Sequence, residues 1–461
     1  MDNSVFRLDA VELAAAYRSR SLSPVEVVST VLDRAEAMQA SLNAFACLDR
    51  TGALAAAAQS EKRWRSGAPL GPLDGIPVSI KDNIYASGMP TRFGSHAIAE
   101  ADSAGPDSPS VARLREAGAI VFGKTTLPDF AHKIVTDSPL TGVTRNPWNV
   151  ACSPGGSSGG AAAAIAAGVG PLAVGTDGGG SIRVPAAWTG TFGLKPSFGR
   201  VPHHPRGAFA TVSHVGPMTR TVKDAALMLT VMARPDSRDW YALPYGGEDY
   251  AAGLNCDFKG LRVAASADLG LGVPVEADIA AGVERAVAAI EQLGASVDRA
   301  HPPEVAGCLD VHRVHWTSFS ARLARRLGER ADRLDPSMRL LVEAGNALPP
   351  GAFPDAVVAR GELGSLINGF FDRYDLLVAP VININAPVIA ELDPLEPPLP
   401  VLTAWCNQTG LPAASLPCGV TAEGLPVGLQ VVGGPRADAL VLSFCHRLEQ
   451  AFGRFQPDIA V

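Results

Sequence analysis

A chain of 461 residues that is 47% hydrophobic and only 18% charged carries more apolar side chain than its surface needs, which predicts a large core and excludes a disordered protein. A net charge of -7 leaves no basic footprint, so nucleic acid is excluded as an expected partner. Seven cysteines (Cys47, Cys152, Cys256, Cys308, Cys406, Cys418 and Cys445) are scattered without a C-x-x-C pair, as expected of reduced thiols in a cytoplasmic protein.

Asp9 with Glu12, and Ser23 with Glu26, have capping-box spacing ahead of apolar-periodic segments, which predicts helices through the first sixty-odd residues, continued by Ala53 to Arg65. The stretch Met1 to Asp9 has no apolar leader segment, and the run from Ala161 to Val174 is too short and too rich in Ala and Gly to span a bilayer. No membrane association is expected. Gly75 to Lys81 reads as an apolar strand that delivers a lysine at its C-terminal end. Ser110 to Ala117 reads as a helix stopped by Gly118, with Ala119 to Phe122 as the next strand. The same helix-glycine-strand order returns at Ile279 to Leu293, Gly294 and Ala295 to Val297, and predicts a doubly wound α/β sheet.

A buried helix is expected over Ala161 to Ala167, then a strand at Leu172 to Gly175 and a helix at Thr221 to Met232. Later come a helix near Asp355 to Phe371, strands at Asp375 to Ala379, Ala413 to Cys418 and Val427 to Val432, and a closing helix at Ala437 to Ala451. Leu348 to Gly351 and Pro387 to Pro400 read as surface loops or a lid. No change of composition cuts the chain, so one domain is expected. Its parts are a helical N-terminal region of about 1–70, a core of about 71–235, a variable substrate-pocket region of about 236–400 and a C-terminal return to the core over 401–461.

The chemistry concentrates between Gly155 and Arg183. Gly155-Gly156-Ser157-Ser158-Gly159-Gly160 and Gly175-Thr176-Asp177-Gly178-Gly179-Gly180-Ser181 place two serines in glycine-rich turns at the two ends of one buried segment, where the backbone can approach a bound group closely. A phosphate loop is excluded, because the lysine it needs after the last glycine is missing both times. Gly155 to Gly159 also satisfies G-x-S-x-G, but that nucleophile elbow follows a strand, and Arg145 to Pro154 reads as loop. A serine nucleophile needs a base. His203, His204 and His214 lie in a loop-like stretch without triad spacing, whereas Lys81 ends an apolar strand where desolvation lowers an ammonium pKa. Lys124 ends a similar strand and is its equal on physical grounds.

Gly75 to Asp82, the two serine turns and Ser181-Ile182-Arg183-Val184-Pro185 together resemble the amidase signature family of hydrolases. Weaker agreement runs through Thr144 to Trp148, Phe192 to Pro196, Gly216 to Met218 and Gly424 to Gln430. The resemblance implies a single large α/β domain with a mixed, mostly doubly wound sheet covered by helices on both faces. It also implies a Ser-Ser-Lys machine: Ser181 as the nucleophile that forms an acyl-enzyme, Ser157 on a cis peptide bond as the proton relay, and Lys81 as the neutral base. The N–H groups of Gly178, Gly179, Gly180 and Ser181 would form the oxyanion hole, each such donor contributing about 3 kcal/mol. Ser158, Asp177 and Arg183 are expected to support the site, the last two by pairing, and Phe130, His132 and Trp405 to line the acyl pocket.

The resemblance implies no cofactor and no metal, a small amide, carbamate or ester as substrate, and a homodimer as a possible assembly. One alternative is the A subunit of the glutamine-dependent tRNA amidotransferase. That subunit carries an acidic residue for the glutamine amino group three residues before the threonine of a T-x-x-x-N-x-x-G segment; here, ahead of Thr403, that residue is Pro400. This departure argues against glutamine; the lack of a charged constellation in the expected pocket, built by the variable loops between about His301 and Pro400, favours neutral apolar or aryl substrates.

Overall fold

Both capping boxes form. In the computed structural model, which describes residues 5–457, Asp9 accepts the Glu12 amide at 2.9 Å and Glu12 accepts the Asp9 amide at 2.8 Å; Ser23 and Glu26 repeat this at 3.1 and 2.8 Å. Each box satisfies amides that a helix start leaves unpaired, so helices Ala10–Ser19 and Pro24–Leu42 begin where the sequence places them. The reading of Met1 to Ser4 lies outside the described residues.

The strands in chain order are β1 (Phe45–Leu48), β2 (Pro77–Lys81), β3 (Ile120–Thr125), the short hairpin β4 (Asp137–Ser138) and β5 (Gly142–Val143), β6 (Leu172–Asp177), β7 (Phe192–Lys195), β8 (His214–Thr219), β9 (Arg262–Ala265), β10 (Ser296–Arg299), β11 (Leu376–Pro380), β12 (Ala413–Val420) and β13 (Pro426–Gly433). All but the hairpin join one mixed sheet of 11 strands in the order β1-β3-β2-β6-β8-β7-β12-β13-β11-β9-β10. Its two wings are parallel, β3-β2-β6 on one side and β11-β9-β10 on the other. These wings are the helix-glycine-strand units of the sequence: Pro109–Glu116 crosses from β2 to β3, and Ala277–Gln292 from β9 to β10. Between them every neighbouring pair from β6 to β11 is antiparallel.

The site follows from the first wing. β2 and β6 run parallel with Ile80 opposite Val174, so their C-terminal ends lie side by side and bring Lys81 to Thr176 and Asp177. The helix Gly159–Ala166 packs against this wing with every residue but its last fully buried, and its small side chains permit the approach. A Cβ on Gly160 would stand 2.5 Å from both the Ala44 carbonyl oxygen and the Thr126 nitrogen.

Two expectations need correction. His214 opens β8 instead of lying in a loop, because β8 is paired along its length, antiparallel to the two strands before it, β6 and β7. The region after His301 is mainly helical: Val305–Leu327 covers the glycine turn through His312 and Trp316, and Pro336–Asn346 and Ala352–Phe370 pack on that helix. Among the described residues no helix is long and apolar enough to cross a membrane.

Candidate active site

Lys81 is fully buried at the end of β2, and its Nζ lies 2.7 Å from Ser157 Oγ, 2.8 Å from Ser158 Oγ and 2.9 Å from Thr176 Oγ1. Burial holds its ammonium well below the ordinary lysine pKa, and the nearby Asp177 charge opposes this only in part. Ser158 Oγ donates to the Thr176 carbonyl at 3.1 Å, so its proton is committed and it serves Lys81 as an acceptor. Ser157 carries no such commitment. It follows a cis Gly156–Ser157 peptide bond and faces the same cleft as Ser181. The two serine turns are tied by the Ser158 amide donating to the Ser181 carbonyl at 3.1 Å.

Lys81 and Lys124, equal in the sequence, are separated by geometry. Lys124 Nζ is 3.2 Å from Asp82 Oδ1 and donates to Thr91 Oγ1 at 2.7 Å, a closed pair away from both serines. His214 sits behind the glycine turn, with Nδ1 3.0 Å from the Val212 carbonyl.

Ser181 lies on a strand-turn-helix path from β6 to the helix Arg183–Thr189. By contrast, Ser157 follows a loop, as the sequence indicates. Asp177 organises the turn: its carboxylate accepts the amides of Gly180 at 2.8 Å and Ile182 at 3.2 Å, and the Arg183 guanidinium at 2.9 and 3.0 Å. Burial pushes the Asp177 carboxyl up, but Arg183, Lys195 and Asn407 more than offset it and hold it below the usual carboxylate range. Arg183 is also fully buried, donating to Gln430 Oε1 at 2.8 Å, Asn407 Oδ1 at 2.8 Å and the Thr403 carbonyl at 3.0 Å.

This corrects the expected oxyanion set. The Gly180 N–H is spent on Asp177, whereas those of Gly178, Gly179 and Ser181 find no acceptor among the described residues. Glycine is required at Gly180 for another reason, since its φ is +140° and a Cβ would collide with the Thr403 side chain.

Asp177→Asn leaves Arg183 buried without a compensating charge. It is expected to cost about 3–5 kcal/mol of stability, read as a lowered urea midpoint; an unchanged midpoint would show that the pair does not hold the turn.

A family model described as Amidase matches residues 26–442. The chain belongs to the amidase family. It is 38% identical to an acylamidase of Rhodococcus erythropolis over 96% of this chain and 95% of that one. It is 36% identical to the A subunit of the glutamyl-tRNA(Gln) amidotransferase of Symbiobacterium thermophilum, over 94% and 95% of the two chains. Among solved structures, a bacterial aryl acylamidase of the amidase signature family superposes with a TM-score of 0.88 at 30% identity, over 96% of each chain.

The cleft of this amidase is a narrow, partly open slot above Ser157 and Ser181. Asn83, Thr176, Ser157, Ser181, His203 and Ser213 supply its polar lining. Two aromatic pairs supply its walls: Phe93 on Phe130, centroids 5.5 Å apart, and Phe209 on Trp316, centroids 3.5 Å apart and nearly parallel. Of the three residues expected to line an acyl pocket, Phe130 lies in the lining of this cleft, while His132 and Trp405 do not. Trp405 points into the core, its indole N–H donating to the Leu402 carbonyl and its side chain fully buried in the apolar cluster that includes Leu377 and Val432. His132 is held between the Asp129 carbonyl at 2.6 Å and Ser337 Oγ at 2.7 Å, and burial lowers its pKa to about 4. What His132 gives the cleft is its carbonyl, which accepts the Trp316 indole N–H at 3.1 Å.

Sequence reasoning missed Trp316, Phe209, Phe93 and Asn83. Asn83 lies two residues after Lys81 and donates to Thr176 Oγ1 at 3.0 Å, so proximity to the lysine was a usable signal. The three aromatics carry none, because their convergence is a property of the fold.

Proposed function

We propose that this amidase hydrolyses the C–N bond of small neutral aryl or apolar amides, anilides and carbamates included, through an acyl-enzyme on Ser181. Ser181 Oγ bonds to the substrate carbonyl carbon while its proton passes by way of Ser157 to neutral Lys81. The oxyanion is met by the N–H groups of Gly178, Gly179 and Ser181. Return of the proton through Ser157 to the leaving nitrogen breaks the C–N bond, and water then releases the acid by the same relay.

The observation that carries this reading is one cleft in which Ser157 and Ser181 stand beneath aromatic walls, with Lys81 buried behind Ser157. Aromatic faces and the absence of a free charged side chain from the lining favour an uncharged planar substrate. The glutamine-dependent reading is disfavoured because Pro400 lies against the turn, its Cγ 3.6 Å from where a Gly179 Cβ would stand, at the position where an acid is needed.

A panel of an anilide, a primary aryl amide, an aryl carbamate, a p-nitrophenyl ester, a malonamate and glutamine tests the proposal. The uncharged aryl substrates should be turned over and glutamine ignored. Preferential turnover of glutamine or of the malonamate would overturn it.

A further inference from the structure

The segment 207–213 carries Phe209 to the cleft and makes a single 3-10 turn, Ala210–Val212. Such a segment has little structure of its own to fix an aromatic wall. The Phe209 ring stacks on Trp316, and the backbone that carries it is tied down from the helix Ala352–Phe370. Arg360 Nη1 donates to Thr211 Oγ1 at 2.8 Å and Nη2 to the Thr211 carbonyl at 3.3 Å, while Nε donates to the Gln408 carbonyl at 2.7 Å and Nη2 to the Asn407 carbonyl at 3.3 Å.

Asn407 and Gln408 belong to the short helix Trp405–Thr409, which ends at Gly410 in the left-handed conformation. A guanidinium is the group suited to carbonyls in such a last turn. These two residues reach the glycine turn by their side chains. Asn407 Nδ2 donates to the Asp177 carbonyl at 2.9 Å, and Gln408 Nε2 meets Nδ1 of His312 at 3.0 Å. The His312 ring in turn lies 5.0 Å from that of Trp316, and its Nε2 edge lies 3.1 Å from where a Gly179 Cβ would stand. Arg360 is partly buried, and among the described residues no carboxylate pairs with it. Four donor contacts to neutral oxygens make it a clasp and leave little of it to receive an anionic substrate.

We infer that Arg360 is the positioning residue that clasps the Phe209 wall to the Asn407–Gln408 segment behind Ser181, and so sets the width of the aryl site. The inference rests on the reading of the cleft as the acyl-transfer site. Without the clasp the nucleophile turn keeps its own Asp177–Arg183 brace, so the chemistry persists while planar substrates lose their wall.

Steady-state kinetics of Arg360→Ala, Arg360→Lys and Thr211→Val on an anilide and on a short aliphatic amide test this, with burst titration of Ser181 by a p-nitrophenyl ester as the control. In Arg360→Ala the anilide KM should rise about tenfold or more, with a smaller rise in the other two, while kcat for the aliphatic amide stays within about twofold and the burst stays stoichiometric. Millimolar guanidinium should restore the anilide KM of Arg360→Ala, which a merely structural loss would not allow. Equal kcat losses on both substrates without guanidinium rescue would overturn the clasp. If Arg360→Ala does not fold, an unchanged anilide KM in both Arg360→Lys and Thr211→Val overturns it. Turnover surviving in Ser181→Ala, run in parallel, would instead overturn the acyl-transfer reading itself.

Discussion

Ser181→Ala is expected to abolish turnover of every substrate, a loss of roughly 10^4-fold or more, and to remove the burst of p-nitrophenol with it. Ser158 cannot take over the covalent bond to the acyl group, because its proton is committed to Thr176, and Ser157 is held against Lys81 as the relay. Ser157→Ala should cost about 10^2- to 10^4-fold, the range for lost proton transfer, and slow the burst without removing its amplitude. The decisive contrast is between the two serines. If the burst survives Ser181→Ala and vanishes in Ser157→Ala, then the G-x-S-x-G turn from Gly155 to Gly159 carries the nucleophile and the roles above are reversed.

Lys81→Met is expected to lose activity on the scale of a missing general base, about 10^2- to 10^4-fold, and also to change how stability depends on pH. Burial lowers the Lys81 pKa in the folded protein, whereas the unfolded chain keeps a lysine near 10.4. Between the lowered folded value and about 10.4 the unfolded state therefore binds one more proton than the folded state, and stability rises with pH through that window. The methionine variant lacks this contribution. Its unfolding free energy, followed by urea titration across the alkaline range, should climb less steeply than that of the wild type. In the wild type kcat/KM should fall with one proton as pH drops through the lowered pKa of Lys81. Identical stability slopes in the two proteins would mean that Lys81 is charged in the folded state and is not the base.

Local rules made much of the chain legible. The two capping boxes depend on residues three positions apart, and both form. The two helix-glycine-strand units became the two parallel wings, because a crossover helix joins neighbouring parallel strands. The short strands β7 and β8 were not legible: they pair with each other and with β6, but β7 is completed on its other side by β12, more than two hundred residues further on. The helix Val305–Leu327 escaped for a related reason. Charged and histidine residues interrupt its apolar face, and part of that face covers the glycine turn through His312 and Trp316.

By itself the sequence determined the candidate reacting groups: two serines in glycine turns, separated by 24 residues, and a lysine at the end of an apolar strand. These follow from chemistry that admits few residue types and from backbone conformations that only glycine adopts readily. The tertiary structure decided the rest. It separated Lys81 from Lys124 by giving the latter an Asp82 partner, and it withdrew the Gly180 amide from the expected oxyanion set by binding it to Asp177. It turned Trp405 into the core and brought Phe209 and Trp316 to the cleft in its place. A contact between residues a hundred positions apart leaves no periodic trace in the chain, because its energy comes from packing that exists only once the sheet has assembled.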